Sequence, residues 1–178
     1  TLVQLPQLKL IAEAATGVNN IDLDWCREHG IAVANIRNYA VHAVPEHVFM
    51  MILALRRNLL AYSADLQRGV WQQSDQFCLV THPVRDIYGS TLGIIGHGVL
   101  GQAVAEMAQA FGMKTIVATR SPRPVEGFDR VIAVKDLARE VADADVLVDV
   151  LPGGAEYADT ISRAVLEAMK PSAVFVNV

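Results

Sequence analysis

Three glycines near the middle of the chain have a spacing that suits phosphate binding. Gly96, Gly98 and Gly101 follow the pattern G-x-G-x-x-G within the sequence TLGIIGHGVLG. In a dinucleotide-binding turn the first glycine makes the tight turn, the second lets the backbone approach a pyrophosphate, and the third packs a helix against a strand. Val99 and Leu100 would begin that helix and offer unpaired N–H groups to the phosphates. The segment predicts a dinucleotide site; a purely structural glycine turn is the alternative.

The residues on both sides of the glycine turn support the first interpretation. Residues 91–95 are apolar and predict a strand, and apolar residues recur at helical spacing over 99–111. Gly112 stands where a helix ends, and residues 114–118 predict the next buried parallel strand. A strand, a glycine turn, a helix and a second strand are the context that this motif requires.

The residues after the second strand bear on which dinucleotide is bound. An NAD site usually has Asp or Glu about 20 residues after the turn, to bind the ribose hydroxyls. Here no acidic residue occurs between Glu106 and Glu126. The slot holds four other polar side chains, Thr119, Arg120, Ser121 and Arg123. Because arginine pairs bidentately with phosphate, the slot favours NADP, with its 2′-phosphate, over NAD. An exposed basic loop in an NAD-binding protein is the alternative.

Other residues that could do chemistry give weaker evidence for a functional site. His42, Glu46 and His47 have neither the H-E-x-x-H nor the H-x-x-E-H spacing, and Pro45 interrupts them, so no metal site is expected. His97 occupies a variable position of the glycine turn and is interpreted as a tolerated loop residue rather than a catalyst. No serine or cysteine has a nucleophile signature, so hydrolase activity has little support.

Composition limits the partners and the compartment. The chain has 178 residues, 52% of them hydrophobic, and a formal net charge of −4, so no nucleic-acid partner is expected. No apolar run approaches the ~18 residues of a membrane span. Cys26 and Cys78 lack metal-ligand spacing and are interpreted as reduced thiols of a cytoplasmic protein.

The remaining pattern predicts how these residues are positioned. A first unit has a strand at 8–15, a loop at 16–20, a helix at 22–29 and a strand at 31–36. Strands then alternate with helices, which predicts an α/β fold with a doubly wound parallel sheet. The predicted strands of this sheet are 91–95, 114–118, 131–133, 146–151 and 173–178, and the helices are 99–111, 135–142 and 161–169.

Between these parts, a long apolar helix is predicted to begin at Pro45 and to run over 46–67, followed by a loop at 69–89. Its apolar residues exceed what one face can bury, so it is expected between domains, between subunits, or both. A homodimer through this helix follows as the expected assembly. The first residue, Thr1, is not methionine, and the last residues, 173–178, form an apolar strand. We therefore expect a fragment of a longer protein.

Several stretches, taken together and in this order, resemble the D-isomer-specific 2-hydroxyacid dehydrogenases. They are LKLI at 8–11, ATGVNNID at 15–22, GIAVAN at 30–35, VPEH at 44–47, RGVW at 68–71, the glycine turn, AFGM at 110–113, Leu151-Pro152 and MKP at 169–171. The segment WQQSDQFC at 71–78 is most similar to the glycerate dehydrogenase (hydroxypyruvate reductase) branch.

The resemblance implies a Rossmann-type dinucleotide-binding domain over 44–178, truncated at its C-terminus, preceded by part of a flavodoxin-like substrate domain over 1–43. It implies that Thr16 and Gly17 bind the substrate carboxylate through backbone N–H groups, and that Leu151 and Pro152 contact the cofactor. In the family an arginine and a glutamate-paired histidine act on the substrate; here they are expected beyond Val178, so this chain alone is expected to lack turnover. Gly153-Gly154 and Tyr157 depart from the family pattern.

The resemblance implies hydride transfer between NAD(P)H and a small 2-oxo acid, with hydroxypyruvate or glyoxylate reduced to D-glycerate or glycolate. Specificity for lactate or phosphoglycerate is one alternative. A nucleotide-sensing binding protein, like the corepressors that share the fold, is another, because a fold does not determine a function.

Overall fold

The computed structural model describes residues 2–178, which form two compact units. Unit 1 contains residues 2–40 together with 152–158, and unit 2 contains residues 41–151 and 159–178. The division of the chain into domains at 1–43 and 44–178 stays a prediction. Among the described residues, no helix has both the length and the hydrophobicity that a membrane span requires.

Unit 1 has a two-stranded parallel sheet, formed by β1 (Leu10–Glu13) and β2 (Ala32–Asn35). The connecting helix α1 (Leu23–Glu28) begins after Asp22, whose carboxylate accepts a hydrogen bond of 2.9 Å from the Trp25 amide. Both strands are shorter than the predicted strands at 8–15 and 31–36. Their parallel pairing begins at Leu10 with Ala32 and ends at Glu13 with Asn35.

Unit 2 is built on a five-stranded parallel sheet with helices on both faces. The strands are β3 (Thr91–Ile95), β4 (Lys114–Thr119), β5 (Arg130–Ala133), β6 (Val146–Asp149) and β7 (Val174–Asn177). The helices are α2 (Ala43–Arg56), α3 (Leu59–Gln67), α4 (Val70–Gln73), α5 (Val99–Ala110), α6 (Leu137–Glu140) and α7 (Arg163–Ala168). The strand order β5-β4-β3-β6-β7 reverses direction between β3 and β6. The predicted doubly wound, Rossmann-type α/β fold is therefore confirmed.

Two apolar clusters cover the two faces of this sheet. The first joins buried residues of α2 and α5, such as Ile52 and Val104, to strand residues such as Ile94. The second joins Leu137 of α6 and Val165 of α7 to the opposite face. Strands buried on both faces explain why β3, β4 and β6 are almost continuously apolar in sequence.

The predicted long helix over 46–67 is wrong in one respect, because the structure has two helices there. Helix α2 ends at Arg56, and Asn58 has a left-handed backbone with φ of +50° before α3 begins. The Asn58 side chain donates a hydrogen bond to the Pro83 carbonyl, which supports a conformation that asparagine tolerates better than most residues. The predicted loop at 69–89 also contains α4.

A buried carboxylate attaches this segment to α3. Asp65, only 2% exposed, accepts hydrogen bonds from Thr81 Oγ1 at 2.5 Å and from His82 Nε2 at 2.9 Å, and pairs with Arg68. The Thr81 hydrogen bond is the largest influence and lowers the pKa of Asp65; burial opposes it, and Arg68 and His82 lower the pKa further. Asp65 thus holds Thr81 and His82 against α3 while remaining ionised.

Candidate functional site

The glycine turn connects the carboxyl end of β3 to α5. Gly96 has φ of +107°, and its amide donates a 3.2 Å hydrogen bond to the Ala118 carbonyl near the end of β4. A methyl group on Gly96 would lie 3.3 Å from side-chain carbons of Val150 and Leu151. Both the backbone conformation and the close packing therefore require glycine at this position.

Nothing in the protein itself requires glycine at position 98, and its effect is to leave open space beside the helix start. Its backbone is extended, with φ of −107° and ψ of −171°, a conformation that any residue adopts. A methyl group there would meet no atom within 4 Å. As the N-cap of α5, Gly98 has no side chain to bind the first-turn amides, among them those of Val99 and Leu100. These amides and the positive end of the helix dipole fit an anion such as a pyrophosphate.

Gly101 lets the helix approach the turn. A methyl group on Gly101 would lie 2.2 Å from the Gly96 carbonyl oxygen and 3.5 Å from Ile94 Cγ2. Only a residue without Cβ fits here. Glycine thus stands at each of the three positions for a different physical reason, as the motif predicts.

The end of β4 presents the residues that were predicted to bind the adenosine ribose. Thr119 Oγ1 is buried and has no hydrogen-bond partner among the described residues. A buried hydroxyl without a partner is unusual in a protein, and a ribose or phosphate oxygen would supply one. Arg120, Ser121 and Arg123 follow on an exposed loop. The residues at this position thus fit the adenosine end of a dinucleotide.

The sheet topology places the turn at the position where α/β proteins bind ligands. The order of strands reverses between β3 and β6, and ligands bind at the carboxyl ends of strands beside such a point. Leu151 follows β6 and packs beside Gly96. A groove of about 950 Å³ adjoins the turn; the residues that line it include Val41, His42, Pro45, Glu46, His97 and Gly98. Within residues 2–178 no cluster of His, Cys, Asp and Glu is arranged to bind a metal ion.

Asp149 is a residue of this region that the sequence analysis missed. The predicted strand 146–151 ends earlier, at Asp149, because the Asp149 carboxylate accepts a 3.0 Å hydrogen bond from the Leu151 amide. Burial raises the pKa of Asp149, and the Leu151 hydrogen bond offsets part of that effect. An acidic residue inside an otherwise apolar run, Val146 to Leu151, is the signal that could have identified it.

The other predicted site residues lie in unit 1. The Thr16 carbonyl accepts a 2.8 Å hydrogen bond from Asn35 Nδ2, which fixes the loop after β1, and Gly17 is exposed beside it. Pro152 is exposed at the start of the segment 152–158, and the next residue, Gly153, accepts a 3.1 Å hydrogen bond from Asn19 Nδ2. The substrate role of Thr16 and Gly17 and the cofactor role of Pro152 stay predictions.

Comparison with known families gives a match over most of unit 2. Residues 49–178 match the model for the D-isomer specific 2-hydroxyacid dehydrogenase, NAD binding domain. The match includes the glycine turn, the end of β4 and Leu151.

Similar proteins extend the match to the whole chain. A glycerate dehydrogenase of Methylorubrum extorquens is 42% identical over 99% of this chain and 54% of its own length. An NADPH-dependent glyoxylate/hydroxypyruvate reductase of Sinorhizobium meliloti, solved with NADP and malonate, has a TM-score of 0.79 and 28% identity over 97% of this chain and 52% of its own. A D-lactate dehydrogenase of Aquifex aeolicus, solved with NAD and lactic acid, has a TM-score of 0.81 and 30% identity over 99% of this chain and 51% of its own. The chain thus spans about half the length of these relatives.

Proposed function

Since the chain belongs to the D-isomer-specific 2-hydroxyacid dehydrogenase family, we propose that the whole protein transfers a hydride between NAD(P)H and a small 2-oxo acid. The preferred substrates are hydroxypyruvate and glyoxylate, which give D-glycerate and glycolate. The observation that carries this proposal is the glycine turn, in which Gly98 opens onto free space beside the first amides of a twelve-residue helix. The glycerate dehydrogenase at 42% identity supports the choice of substrate.

The residues of this chain bind and orient the reactants in the proposed reaction. The dinucleotide, when bound, supplies or accepts the hydride. The amides of Val99 and Leu100 hold its pyrophosphate, and Thr119 provides a hydroxyl for the ribose. In unit 1, backbone N–H groups of Thr16 and Gly17 hold the substrate carboxylate, on a loop fixed by Asn35.

A nucleotide-sensing binding protein is the second candidate from the sequence. The similar proteins are named for dehydrogenase and reductase activities, so they favour the enzyme. A cytoplasmic location is proposed with it, supported by Cys26 and Cys78, which are both free thiols.

Steady-state kinetics of the whole protein tests the proposed reaction. We expect reduced nicotinamide to be consumed when hydroxypyruvate or glyoxylate is added, with a higher kcat/KM than for pyruvate or phosphohydroxypyruvate. Tight dinucleotide binding without turnover of any of the four acids would favour the binding protein instead. A higher kcat/KM for pyruvate or phosphohydroxypyruvate would keep the reaction class and change the substrate.

The cofactor is proposed to be NADP in preference to NAD. Arg120 and Arg123 lie on the loop that follows Thr119, at the adenosine end of the site, and this loop contains no acidic residue before Glu126. A charge-assisted hydrogen bond to phosphate contributes roughly 1.5–3 kcal/mol. NADPH offers such a partner through its 2′-phosphate, and NADH does not. The Sinorhizobium meliloti reductase was solved with NADP and the Aquifex aeolicus dehydrogenase with NAD, so this fold accepts either dinucleotide.

Substituting Arg120 by alanine tests that preference. We expect Arg120→Ala to weaken the binding of NADPH about ten- to a hundredfold, because one charge-assisted hydrogen bond is removed. The binding of NADH should be weakened far less. Lys135→Ala, which removes an exposed positive charge before α6, is the matched control and should change neither. An equal loss for both dinucleotides, or a wild-type protein that prefers NADH, would contradict the assignment to NADP.

The whole protein is proposed to form a homodimer through the region that begins with α2. Val48, Phe49 and Ile52 are buried in unit 2, but other large apolar residues of α2 and α3 remain exposed. They are Met50, Leu55, Leu59, Leu60 and Leu66. So many exposed large apolar side chains on two consecutive helices would be covered by a second copy of the chain.

Light scattering measures this assembly directly. We expect a dimer for the wild type and a shift toward monomer for Leu60→Glu, because Leu60 is 78% exposed and the new charge would be buried between subunits. Ala142→Glu, which adds the same charge at an exposed position outside α2 and α3, is the control. A wild type that remains monomeric at micromolar concentration would refute the dimer.

A further inference from the structure

The loop that carries the two arginines follows β4 and is exposed at its start. It leaves β4 after Thr119 and returns at β5, and residues 120–124 are all exposed. At its far end the Asp129 carboxylate accepts hydrogen bonds from the Thr115 amide at 2.7 Å and from Thr115 Oγ1 at 3.0 Å. The residues just before Asp129 are held by further contacts, and these bear on the path of the loop.

One such contact comes from the glycine turn itself. The His97 ring lies edge-on to the Phe128 ring, with 5.8 Å between centroids and an interplanar angle of 70°. This is the favourable edge-to-face arrangement of two aromatic rings. Phe128 also packs on the apolar cluster that includes Val104 and Ala105, so its ring is a fixed partner. His97, between Gly96 and Gly98, thus connects the turn to the end of the arginine loop.

A second contact comes from α5. Gln109 Nε2 donates a 2.8 Å hydrogen bond to the Gly127 carbonyl. Gly127 has φ of +83°, and a methyl group there would lie 2.6 Å from Gln102 Nε2, so the chain lies close against the helix. Helix and turn therefore hold adjacent residues of the loop, Gly127 and Phe128.

We propose that His97 is a positioning residue for dinucleotide selectivity: its ring, held against Phe128, fixes the loop 120–128 relative to the turn that binds the pyrophosphate. The distance between pyrophosphate and ribose is set by the dinucleotide, so the arginines reach a 2′-phosphate only when the loop keeps its position. This inference rests on the proposed binding of NADP. Gln109 supports the same loop from the helix.

Two measurements on the whole protein test the proposal. The first is the ratio of Kd values for NADH and NADPH, and the second is hydrogen–deuterium exchange of the amides in 121–128. We expect His97→Ala to lower the preference for NADPH about two- to tenfold, the size of an edge-to-face contact, and to speed exchange in the loop. His97→Phe, which retains an aromatic ring, should restore both. Gln109→Ala should act in the same direction, and the exposed Gln7→Ala in unit 1 should change neither.

The outcomes separate this inference from the proposed cofactor. If His97→Ala leaves the ratio and the exchange unchanged while Arg120→Ala lowers the ratio, His97 does not position the loop and the assignment to NADP stands. If His97→Ala weakens both dinucleotides equally without faster exchange, it acts only on the turn and the proposal is wrong. Failure of His97→Phe to restore the wild-type values would also overturn it. If the wild type has no preference for NADPH, the cofactor assignment fails and loop exchange alone decides whether His97 holds the loop.

Discussion

Gly98→Val in the whole protein is expected to abolish dinucleotide binding while leaving the fold intact. The reason is that Gly98 has an ordinary extended backbone and open space around its Cα, so a side chain is tolerated by the protein itself. The same open space is where a pyrophosphate must approach the first amides of α5. The valine methyl groups would fill it, and affinity should fall at least about a hundredfold, a loss of roughly 3 kcal/mol.

Fluorescence titration with NADPH and NADH measures this loss, and thermal unfolding without ligand measures the fold. Ala142→Val is a suitable control, because Ala142 is exposed just before β6, at the amino end of that strand, whereas the glycine turn follows the carboxyl end of β3. Unchanged dinucleotide affinity for Gly98→Val would remove the glycine turn from the binding site. A large drop in melting temperature would show that Gly98 is needed by the fold rather than by the ligand.

Gly101→Ala is expected to cause a large loss of stability, whereas Gly98→Val is expected to affect ligand binding and leave the fold intact. Helix propensity alone would favour alanine over glycine by about 1 kcal/mol. The new methyl group, however, would lie 2.2 Å from the Gly96 carbonyl oxygen, a backbone atom that cannot move without displacing the turn. Overpacking typically costs about 1–3 kcal/mol, and a backbone clash of this size should reach the upper end or beyond. The cost of the clash therefore exceeds the gain in helix propensity, and the variant is expected to be less stable than the wild type.

Chemical denaturation of the Gly101→Ala and Gly98→Ala variants makes the comparison direct, since both add one methyl group to the same motif. We expect a lower free energy of unfolding for Gly101→Ala and a value near the wild type for Gly98→Ala. Equal stability of the two variants would mean that α5 moves away from the turn at little cost, and the packing role of the third glycine would then be wrong.

The amino-acid sequence by itself determined the class of fold and the position of the turn. The short apolar runs of the strands, the helix period of 3.6 and the glycine spacing are local properties, and each is readable within a dozen residues. For that reason β3 was predicted with the bounds that the structure has, and α5 differs by one residue at its end. The resemblance to the dehydrogenase family rests on the same local motifs, and the family match confirms it.

Only the tertiary structure decided which partners the polar and aromatic side chains have. The break at Asn58 depends on the distant Pro83 carbonyl, and the burial of Asp65 depends on Thr81 and His82. His97 was interpreted from the sequence as a tolerated loop residue, and in the fold its ring contacts that of Phe128. Such contacts join residues far apart in the chain, and their energies depend on distance and burial, which no local periodicity contains.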